Sequence, residues 1–231
     1  MKIIFLNAWR GQIPEIKKFI LDQVSSTDIF CFQEYNDPQK DIFCLDYLKD
    51  NYQYFFDYQQ ITKRSMFHNV TFVKNNIKVL ETKTIGKEDK KIGLGIFTKI
   101  KSSKNNIINL VNFHGFAYPG HKQDTPNRLK QSHTIINFLK DYSGPKIIGG
   151  DFNLDRDIKS TQIFEENGYC SLIKEFNITN TRNQLSWKKY PNSEQHFADH
   201  LFTNPELKIT NFTVPYNEIS DHLPLILEID Y

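Results

Sequence analysis

The sequence contains few cysteines and almost no net charge, and each shortage argues against a class of protein. Its three cysteines, Cys31, Cys44 and Cys170, are odd in number and show no CxxC spacing. That pattern argues against a disulfide framework or a cysteine-based zinc site and favours reduced thiols. The formal net charge is only +2, so no global field attracts nucleic acid, although a local basic patch is compatible with it.

Long apolar runs are absent as well. No window approaches the length of a membrane span, and the apolar run before Asn7 is too short for a signal-peptide core. We therefore expect a cytoplasmic protein. Hydrophobic residues make up 39% and charged residues 24% of the 231 residues, which is typical of a folded globular chain. Because no repeat and no Gly-, Pro- or Ser-rich linker interrupts it, we expect residues 1–231 to form a single domain.

The apolar pattern predicts a mixed α and β chain. Short apolar runs predict strands over 2–6, 29–32, 54–58, 69–73, 77–85, 94–98, 107–113, 146–149, 197–202, 207–214 and 223–229. Apolar residues at helical spacing predict helices over 14–24, 42–48, 125–142 and 160–167. The lysine-rich segments 87–91 and 99–104 form either solvated hairpin tips or an edge that follows a phosphate backbone.

Polar side chains recur where the predicted strands end. Carboxylates, amides and histidines occupy these positions: Asn7, Glu34, His114, Asp151, Asn153, Asp199, Asp221 and His222. In layered α/β folds, ligands bind beside strand termini because rigid elements hold the groups while loops leave room. The group as a whole therefore predicts a functional site. Each residue alone also has a structural explanation, such as a turn cap for Asn7 or a satisfied core histidine for His114.

The stretch IIGGDFNLDRD, residues 147–157, shows this pattern most densely. In an extended segment, side chains two positions apart lie on the same face, so we expect Asp151 and Asn153 to point at one target. A polar turn after a buried strand explains the same residues, since Gly, Asp and Asn are common in turns. The helix predicted over 125–142 raises a similar choice, because Arg128 and Gln131 either lie on a solvated face or brace the site.

The order and spacing of these segments resemble the endonuclease/exonuclease/phosphatase superfamily. The resembling segments are LN at 6–7, FQE at 32–34, VNFHG at 111–115, NRLKQ at 127–131, GGDFN at 149–153, SW at 186–187, ADHLF at 198–202 and SDHLP at 220–224. The resemblance spans Asn7 to Pro224. It implies one catalytic domain with an α/β fold, a four-layer sandwich in which two packed mixed β-sheets are flanked by helices.

The resemblance also implies metal-dependent hydrolysis of phosphoric esters. Mg²⁺, for which Mn²⁺ could substitute, would bind Glu34, with Asp221 as a second contributor. A hard divalent cation suits such an oxygen-rich site. His222 would activate the attacking water, and Asp199 would orient its imidazole. Asp151 is a rival for the role of base.

The remaining polar residues are expected to bind the substrate. Asn7, His114 and Asn153 would donate hydrogen bonds to phosphoryl oxygens and stabilise the charge that develops there. Substrate specificity would depend on three surrounding loops, near 35–67, 115–126 and 183–197. Three aromatic residues in or near these loops could stack on bases or belong to the core or rim: Tyr118, Trp187 and Tyr190.

These residues support two substrate classes. The leading hypothesis is a nuclease or phosphodiesterase that acts on DNA or RNA, and the alternative is a phosphatase or phosphodiesterase of a small molecule or lipid headgroup. Trp9 stands where some DNA-repair members carry an aspartate, which disfavours an abasic-site enzyme. A catalytically inactive scaffold of the same fold would have lost residues that are all present here: Glu34, Asp151, Asp199 and His222.

Overall fold

The computed structural model describes residues 1–35, 45–62, 65–102, 106–189, 191 and 194–230. Its strands are β1 (Lys2–Asn7), β2 (Ile29–Gln33), β3 (Tyr52–Thr62), β4 (Ser65–Lys74), β5 (Lys78–Ile85), β6 (Leu94–Lys101), β7 (Ile107–His114), β8 (Lys146–Asp151), β9 (Cys170–Ser171), β10 (Asp199–Thr203), β11 (Ile209–Thr213) and β12 (Leu225–Ile229). Its helices are α1 (Glu15–Gln23), α2 (Leu45–Asn51), α3 (Pro126–Leu139), α4 (Lys159–Glu166), α5 (Leu172–Glu175) and α6 (Gln184–Lys189). A 3₁₀ turn spans Trp9–Gly11. None of the helices within these ranges is long and apolar enough to cross a membrane.

Two six-stranded sheets organise the strands. The first runs β11-β12-β1-β2-β4-β3 and the second runs β5-β6-β7-β8-β10-β9. Among the described strands, β1 with β2 and β7 with β8 are parallel, and the other neighbours are antiparallel. Asn7 at the end of β1 contacts Asp151 at the end of β8, so both parallel pairs end at the same edge of the sandwich.

Alternation along the strands creates four layers. Ile3 and Phe5 of β1 pack between the sheets with residues of the second sheet such as Ile147. Ile4, on the opposite face of β1, packs with the apolar side of α1. Ile148, on the outer face of β8, packs with α3 and α4. Because successive strand residues point to opposite faces, both faces of these strands are buried. The four-layer sandwich that the resemblance implied is thereby confirmed.

Buried amides tie the two sheets together near the edge where β1 and β8 end. Gln33 Nε2, at the end of β2, donates a 2.6 Å hydrogen bond to Asn112 Oδ1 in β7. Asn112 Nδ2 in turn donates to Val70 O in β4 at 3.0 Å. Asn69 Nδ2 donates to Leu94 O, in the other sheet, at 2.7 Å. Since buried polar groups require partners, these bonds fix the position of one sheet against the other.

The paired glycines before Asp151 are required by close packing. An added Cβ at Gly149 would lie 2.7 Å from the ring of Phe5, and one at Gly150 would lie 2.1 Å from Phe113 O. Gly150 also has φ +134°, a backbone conformation that residues with a side chain rarely adopt. The pair therefore lets β8 approach both the opposite sheet and β7 closely enough to place Asp151 at the edge.

We expect Gly150→Ala to lower the free energy of unfolding by about 2 kcal/mol or more, because the added methyl group collides with backbone and the φ angle becomes strained. Gly120→Ala is the matched control, since an added Cβ there meets nothing within 4 Å, and a change within about 0.5 kcal/mol is expected. Urea unfolding measures both. Equal stabilities of the two variants would contradict this account of the GG pair.

The predicted segments agree with the observed elements where the apolar runs are long. The helix predicted over 42–48 corresponds to α2, although residues 42–44 lie outside the described part of the chain. The expected loops at 35–67 and 183–197 are partly wrong, because β3 and β4 extend through much of the first and α6 lies within the second. The short elements β9 and α5 were not predicted, since two to four residues are too few to show a period.

The lysine-rich segments and the cysteines are only partly described. Residues 87–91 lie in the turn between β5 and β6, as expected for a hairpin tip, whereas the segment 99–104 begins inside β6 and its last two residues lie outside the description. Cys31 and Cys170 are free thiols, and Cys44 is not among the described residues. The cytoplasmic location stays a prediction.

Candidate active site

Strand register brings the polar ends of the strands together. Asn7 pairs with Gln33 at the end of β1 and β2, and His114 pairs with Asp151 at the end of β7 and β8. Asp199, the first residue of β10, lies opposite Asp151 because β10 runs antiparallel to β8. A parallel neighbour ends at the same edge, whereas an antiparallel neighbour begins there. One edge therefore receives polar residues from both kinds of strand.

Asp151 is buried at the centre of this edge. Its Oδ2 accepts a 2.9 Å hydrogen bond from Asn7 Nδ2, and its Oδ1 accepts one of 2.9 Å from the backbone N–H of Asn153. His114 Nε2 and His222 Nε2 lie 3.6 and 3.8 Å from Oδ2. Burial by itself would raise the pKa of Asp151, but the surrounding positive charges, His222 first, hold that pKa below its ordinary value. Asp151 is therefore an ionised acceptor.

His222 is held between Asp199 and Asp151. Its Nδ1 lies 2.8 Å from Asp199 Oδ2 and 3.0 Å from Oδ1. Ser220 Oγ donates to Asn7 O at 2.7 Å and fixes the backbone just before the histidine. Burial would lower the pKa of His222, but the carboxylate of Asp199, with a smaller contribution from Asp151, raises it to about 9. At neutral pH the imidazole is protonated, and its Nε2–H is directed away from Asp199.

The raised pKa of His222 predicts a pH dependence of stability. A histidine with a pKa of about 6.5 when unfolded stabilises the fold fully below that value, and this stabilisation is lost as pH rises through the folded pKa of about 9. In Asp199→Asn the carboxylate that raises the pKa is removed. The wild-type advantage in free energy of unfolding is therefore expected to be largest near about pH 6 and to shrink by about pH 9.5. Urea unfolding at both pH values measures it, and an advantage that grows with pH would contradict the ion pair.

Glu34 forms the more open side of the site. Its Oε1 lies 3.5 Å from Asn7 Nδ2 and 4.0 Å from His114 Nε2, and its Oε2 lies 3.8 Å from Arg10 Nε. The Glu34 side chain is 27% exposed, whereas Asp199 is buried behind His222. Glu34 is therefore the carboxylate that an incoming ion or substrate reaches most readily.

A cavity of about 590 Å³ opens over these residues. Four non-glycine residues with left-handed backbones line it: Trp9 (φ 45°), Arg10 (φ 51°), Glu34 (φ 50°) and Asn153 (φ 56°). Such conformations are costly and persist only where the surrounding structure holds them, often at functional sites. Their concentration at one cavity marks it as the candidate active site.

The conformation of Asn153 corrects one prediction. The segment after Asp151 is not extended, because Asn153 is left-handed and its N–H folds back onto Asp151 Oδ1. The two side chains therefore do not share a strand face, and the turn alternative describes the backbone. Both residues nevertheless line the same cavity. Asn153 Nδ2 donates to Gly115 O at 3.1 Å, and its Oδ1 accepts a hydrogen bond from Lys122 Nζ.

Two buried cations that the sequence did not single out also line the cavity. Arg182 Nη2 binds Asp221 Oδ2 at 2.9 Å, and both side chains are buried. Lys122 is 7% exposed, and burial lowers its pKa to about 8. Lys122 lies between β7 and α3, and Arg182 lies between α5 and α6. A charged residue in a loop ordinarily contacts solvent, so no pattern in the sequence distinguishes these two.

The donor atoms of the site fit a hard divalent cation. Within the described residues, three side chains have ligand atoms within 4.8 Å of one another: Asp151, Asp199 and His222. Glu34 lines the same cavity, and carboxylate oxygens suit Mg²⁺ and Mn²⁺. Asp221, the expected second contributor, pairs with Arg182 through Oδ2. Its buried Oδ1 has no hydrogen-bond partner in the part of the chain that is described.

Arg128 and Gln131 brace the wall of the cavity, and the solvated-face alternative is wrong. Both side chains are fully buried. Arg128 donates to the carbonyl oxygens of Gln123 at 2.6 Å and Pro119 at 2.8 Å. Gln131 Nε2 donates to Phe152 O at 3.1 Å. The two residues thus connect α3 to the loop that follows β7 and to the turn that follows β8.

The aromatic residues expected near the site take different positions. Tyr118 is 55% exposed and lines the cavity, where its ring is accessible for stacking. Trp187 donates from Nε1 to Gln195 O at 3.2 Å and packs edge-on against His196. Tyr190 lies outside the described residues. Only Tyr118 of the two described aromatics therefore faces the cavity.

One known protein family matches most of the chain. The sequence profile of the Endonuclease/Exonuclease/phosphatase family matches residues 6–222, from the end of β1 to His222. The chain belongs to this family. Members of the family are phosphoric-ester hydrolases. No curated protein matches the chain by sequence.

Solved structures share the fold of this family member. The catalytic domain of human Nocturnin, with a bound sulfate anion, is 17% identical with a TM-score of 0.75, and the match covers 100% of this chain and 94% of that one. Truncated TDP2 from Caenorhabditis elegans is 16% identical with a TM-score of 0.72, covering 99% and 96%. A mannosyl-6-phosphatase from Bacteroides thetaiotaomicron is 17% identical with a TM-score of 0.68, and both chains are covered completely. Identities this low establish the fold alone.

Proposed function

We propose that the cavity is the active site of a Mg²⁺-dependent phosphoric-ester hydrolase, with phosphodiesters of DNA or RNA as the leading substrate class. The observation that carries the proposal is the buried series from Asp199 through His222 to Asp151. Glu34 lines the cavity into which this series opens. A histidine oriented by a carboxylate, beside an ion-binding carboxylate, is the arrangement that activation of water requires.

Each residue has a separate role in this reaction. A water oxygen attacks phosphorus, the bond from phosphorus to the leaving oxygen breaks, and the water loses a proton. His222, oriented by Asp199, takes that proton, with Asp151 as the rival base. Glu34, with Asp151 nearby, would hold the metal ion, which supplies charge neutralisation of the phosphoryl oxygens and lowers the pKa of water.

The pKa of about 9 places a condition on His222 as the base. A protonated imidazole donates and cannot accept, so at neutral pH and without a bound cation His222 would donate a hydrogen bond to an incoming phosphate and would not take a proton from water. Positive charge bound beside Asp151 would offset one of the carboxylates that raise the pKa of His222 and so lower that pKa toward neutrality. His222 would therefore act as the base only when a cation is bound beside Asp151.

Three uncharged donors would hold the substrate phosphate. Asn153 Nδ2 donates to Gly115 O and keeps a second hydrogen for a phosphoryl oxygen. Asn7 Nδ2 donates to Asp151 and, at 3.5 Å, to Glu34, so it would give up the longer contact with Glu34 to bind the phosphate. Burial lowers the pKa of His114, which keeps the ring neutral at the pH where the reaction would run. These groups stabilise charge on the phosphate without adding net charge to the cavity.

Small phosphate esters are the second substrate class. The volume of about 590 Å³ is within the range of sites for small molecules. Lysines near the β5–β6 turn, which could follow a nucleic-acid backbone, are in part neutralised, since Lys87 pairs with Asp57 and Lys130 with Asp89, each at 2.6 Å. One structural neighbour is a mannosyl-6-phosphatase. These observations support a compact phosphate ester as the alternative to a nucleic-acid strand.

Two synthetic esters separate these substrate classes. The purified chain is assayed with bis-p-nitrophenyl phosphate and p-nitrophenyl phosphate in Mg²⁺, in Mn²⁺ and in chelator. Metal-dependent release from the diester supports phosphodiesterase chemistry and leads to DNA and RNA strands as the next substrates. Release from the monoester alone supports a phosphatase of small molecules. Absence of release from both esters and from DNA and RNA with either metal contradicts the proposed function.

A further inference from the structure

Lys122 is a buried cation at the boundary of two adjoining cavities. It follows β7 in the loop that leads to α3 and is 7% exposed. It lines the main cavity of about 590 Å³ and a neighbouring one of about 270 Å³, together with His121 and Gln195. Lysine is rarely buried to this extent unless it is paired. We therefore expect the buried ammonium group of Lys122 to have an anionic partner.

Within the described chain, that partner is not a carboxylate. No Asp or Glu oxygen of the described residues lies within 4.0 Å of Lys122 Nζ, and its hydrogen bond goes to the neutral Oδ1 of Asn153. An ammonium group has three hydrogens to donate. Arg182, the other buried cation of the cavity, is neutralised by Asp221 at 2.9 Å. Asp151 and Asp199 attract the Lys122 ammonium from farther away, but within the described residues no carboxylate pairs with it directly, and burial of such a cation is costly unless an anion binds there.

The backbone holds Lys122 firmly in this place. Arg128 clamps the carbonyl oxygens of Pro119 and Gln123 on either side of it, at 2.8 and 2.6 Å. The carbonyl oxygen of Lys122 itself accepts a 2.8 Å hydrogen bond from the backbone N–H of Asp155, in the segment that follows β8. A binding group fixed by its surroundings before the ligand arrives loses little freedom on binding. The geometry is that of a preorganised ligand contact.

We propose that Lys122 binds a phosphate oxygen of the substrate directly. This inference rests on the proposed function, because it takes the anion to be the phosphate group of the ester that is hydrolysed in this cavity. Lys122 donates a hydrogen bond to Asn153. Asn153 is one of the proposed phosphate donors, so Lys122 lies next to the proposed phosphate position. The phosphate would accept hydrogen bonds from the ammonium hydrogens that Asn153 leaves unused, and its negative charge would supply the missing counter-ion.

Binding of inorganic phosphate tests this proposal independently of turnover. Calorimetric titration in Mg²⁺ is carried out on the wild type, on Lys122→Met and on Lys140→Met, which removes an exposed lysine at the end of α3. We expect the dissociation constant for phosphate to rise about 10- to 100-fold in Lys122→Met and to stay within about twofold in the control. Lys122→Arg, which keeps the charge, should recover part of the affinity. In assays, KM should rise with little change in kcat, as for a contact made equally in ground and transition states.

A second measurement guards against a variant that only disturbs the fold. The ¹³Cε signal of Lys122, identified in the wild type by its loss in Lys122→Arg, should shift when phosphate is added. A purely structural lysine predicts lower stability with an unchanged phosphate affinity and an unshifted signal, and that result would overturn the proposal. If phosphate binds through Lys122 but no ester is hydrolysed, the proposed function fails while this contact stands. If esters are hydrolysed with the same KM in Lys122→Met, the contact fails while the function stands.

Discussion

His222→Ala is expected to lower kcat for phosphoric-ester hydrolysis by about 10³-fold at pH 7 in Mg²⁺. The substitution removes the imidazole that Asp199 orients at 2.8 Å and that lies 3.8 Å from Asp151. It leaves two buried carboxylates without the positive charge between them, which also raises the pKa of Asp151 from its lowered value. Both changes act on the same step, so the loss should appear in kcat more than in KM.

His133→Ala controls for the loss of a histidine as such, because His133 is exposed on α3, and its activity should match the wild type. Circular dichroism and urea unfolding show whether the His222 variant is folded. Added imidazole should restore part of the activity, since the substitution leaves space of the right shape. A folded His222→Ala protein with near wild-type kcat would remove His222 from the mechanism and leave Asp151 as the base.

Glu34→Gln is expected to abolish the stabilisation of the fold by Mg²⁺ and to lower kcat on the order of 10²–10³-fold. Glutamine keeps the shape of the side chain but removes the charge that attracts a hard cation. The backbone at Glu34 is left-handed, with φ 50°, and glutamine meets the same backbone strain as glutamate. A difference between the two proteins therefore reports on the carboxylate and not on the turn.

Thermal unfolding over a Mg²⁺ titration measures this effect. The wild-type Tm should rise with Mg²⁺ concentration, the Tm of Glu34→Gln should stay flat, and Glu175→Gln, which changes an exposed acid on α5, should behave as the wild type. Equal Mg²⁺-dependent rises in wild type and Glu34→Gln would mean that the ion binds elsewhere. The group of Asp151, Asp199 and His222 would then be the next candidate.

The central strands could be predicted because burial on both faces leaves an unbroken apolar run. Such runs mark β1, β2 and β8, and each is followed by a polar residue that the fold places at one edge. The outer ends of β3 and β4 carry no such signal. Gln59 is buried there, and its Nε2 donates to Gly86 O at 3.0 Å, in the turn that follows β5. A tertiary contact of this kind leaves no period in the sequence.

The candidate site was predictable from the sequence only in part. Residues that end strands were found, since strand ends are visible in the sequence. The geometry of Asn153 was not, because the same-face argument assumes an extended chain and the backbone turns instead. Lys122 and Arg182 were missed because each contacts a residue far along the chain, Asn153 for Lys122 and Asp221 for Arg182. A charged residue in a loop becomes a candidate site residue only when the structure shows that its side chain is buried.

Hydrolysis in ¹⁸O-labelled water tests the central claim most directly. Whichever ester the wild type cleaves in Mg²⁺, the reaction is run in labelled water and the products are analysed by mass spectrometry. Because the proposed reaction is attack of a water oxygen on phosphorus, one labelled oxygen should appear in the phosphate product and none in the released alcohol. Label in the alcohol, unlabelled phosphate, or the absence of any metal-dependent cleavage would contradict the assignment of this cavity as a phosphoric-ester hydrolase site.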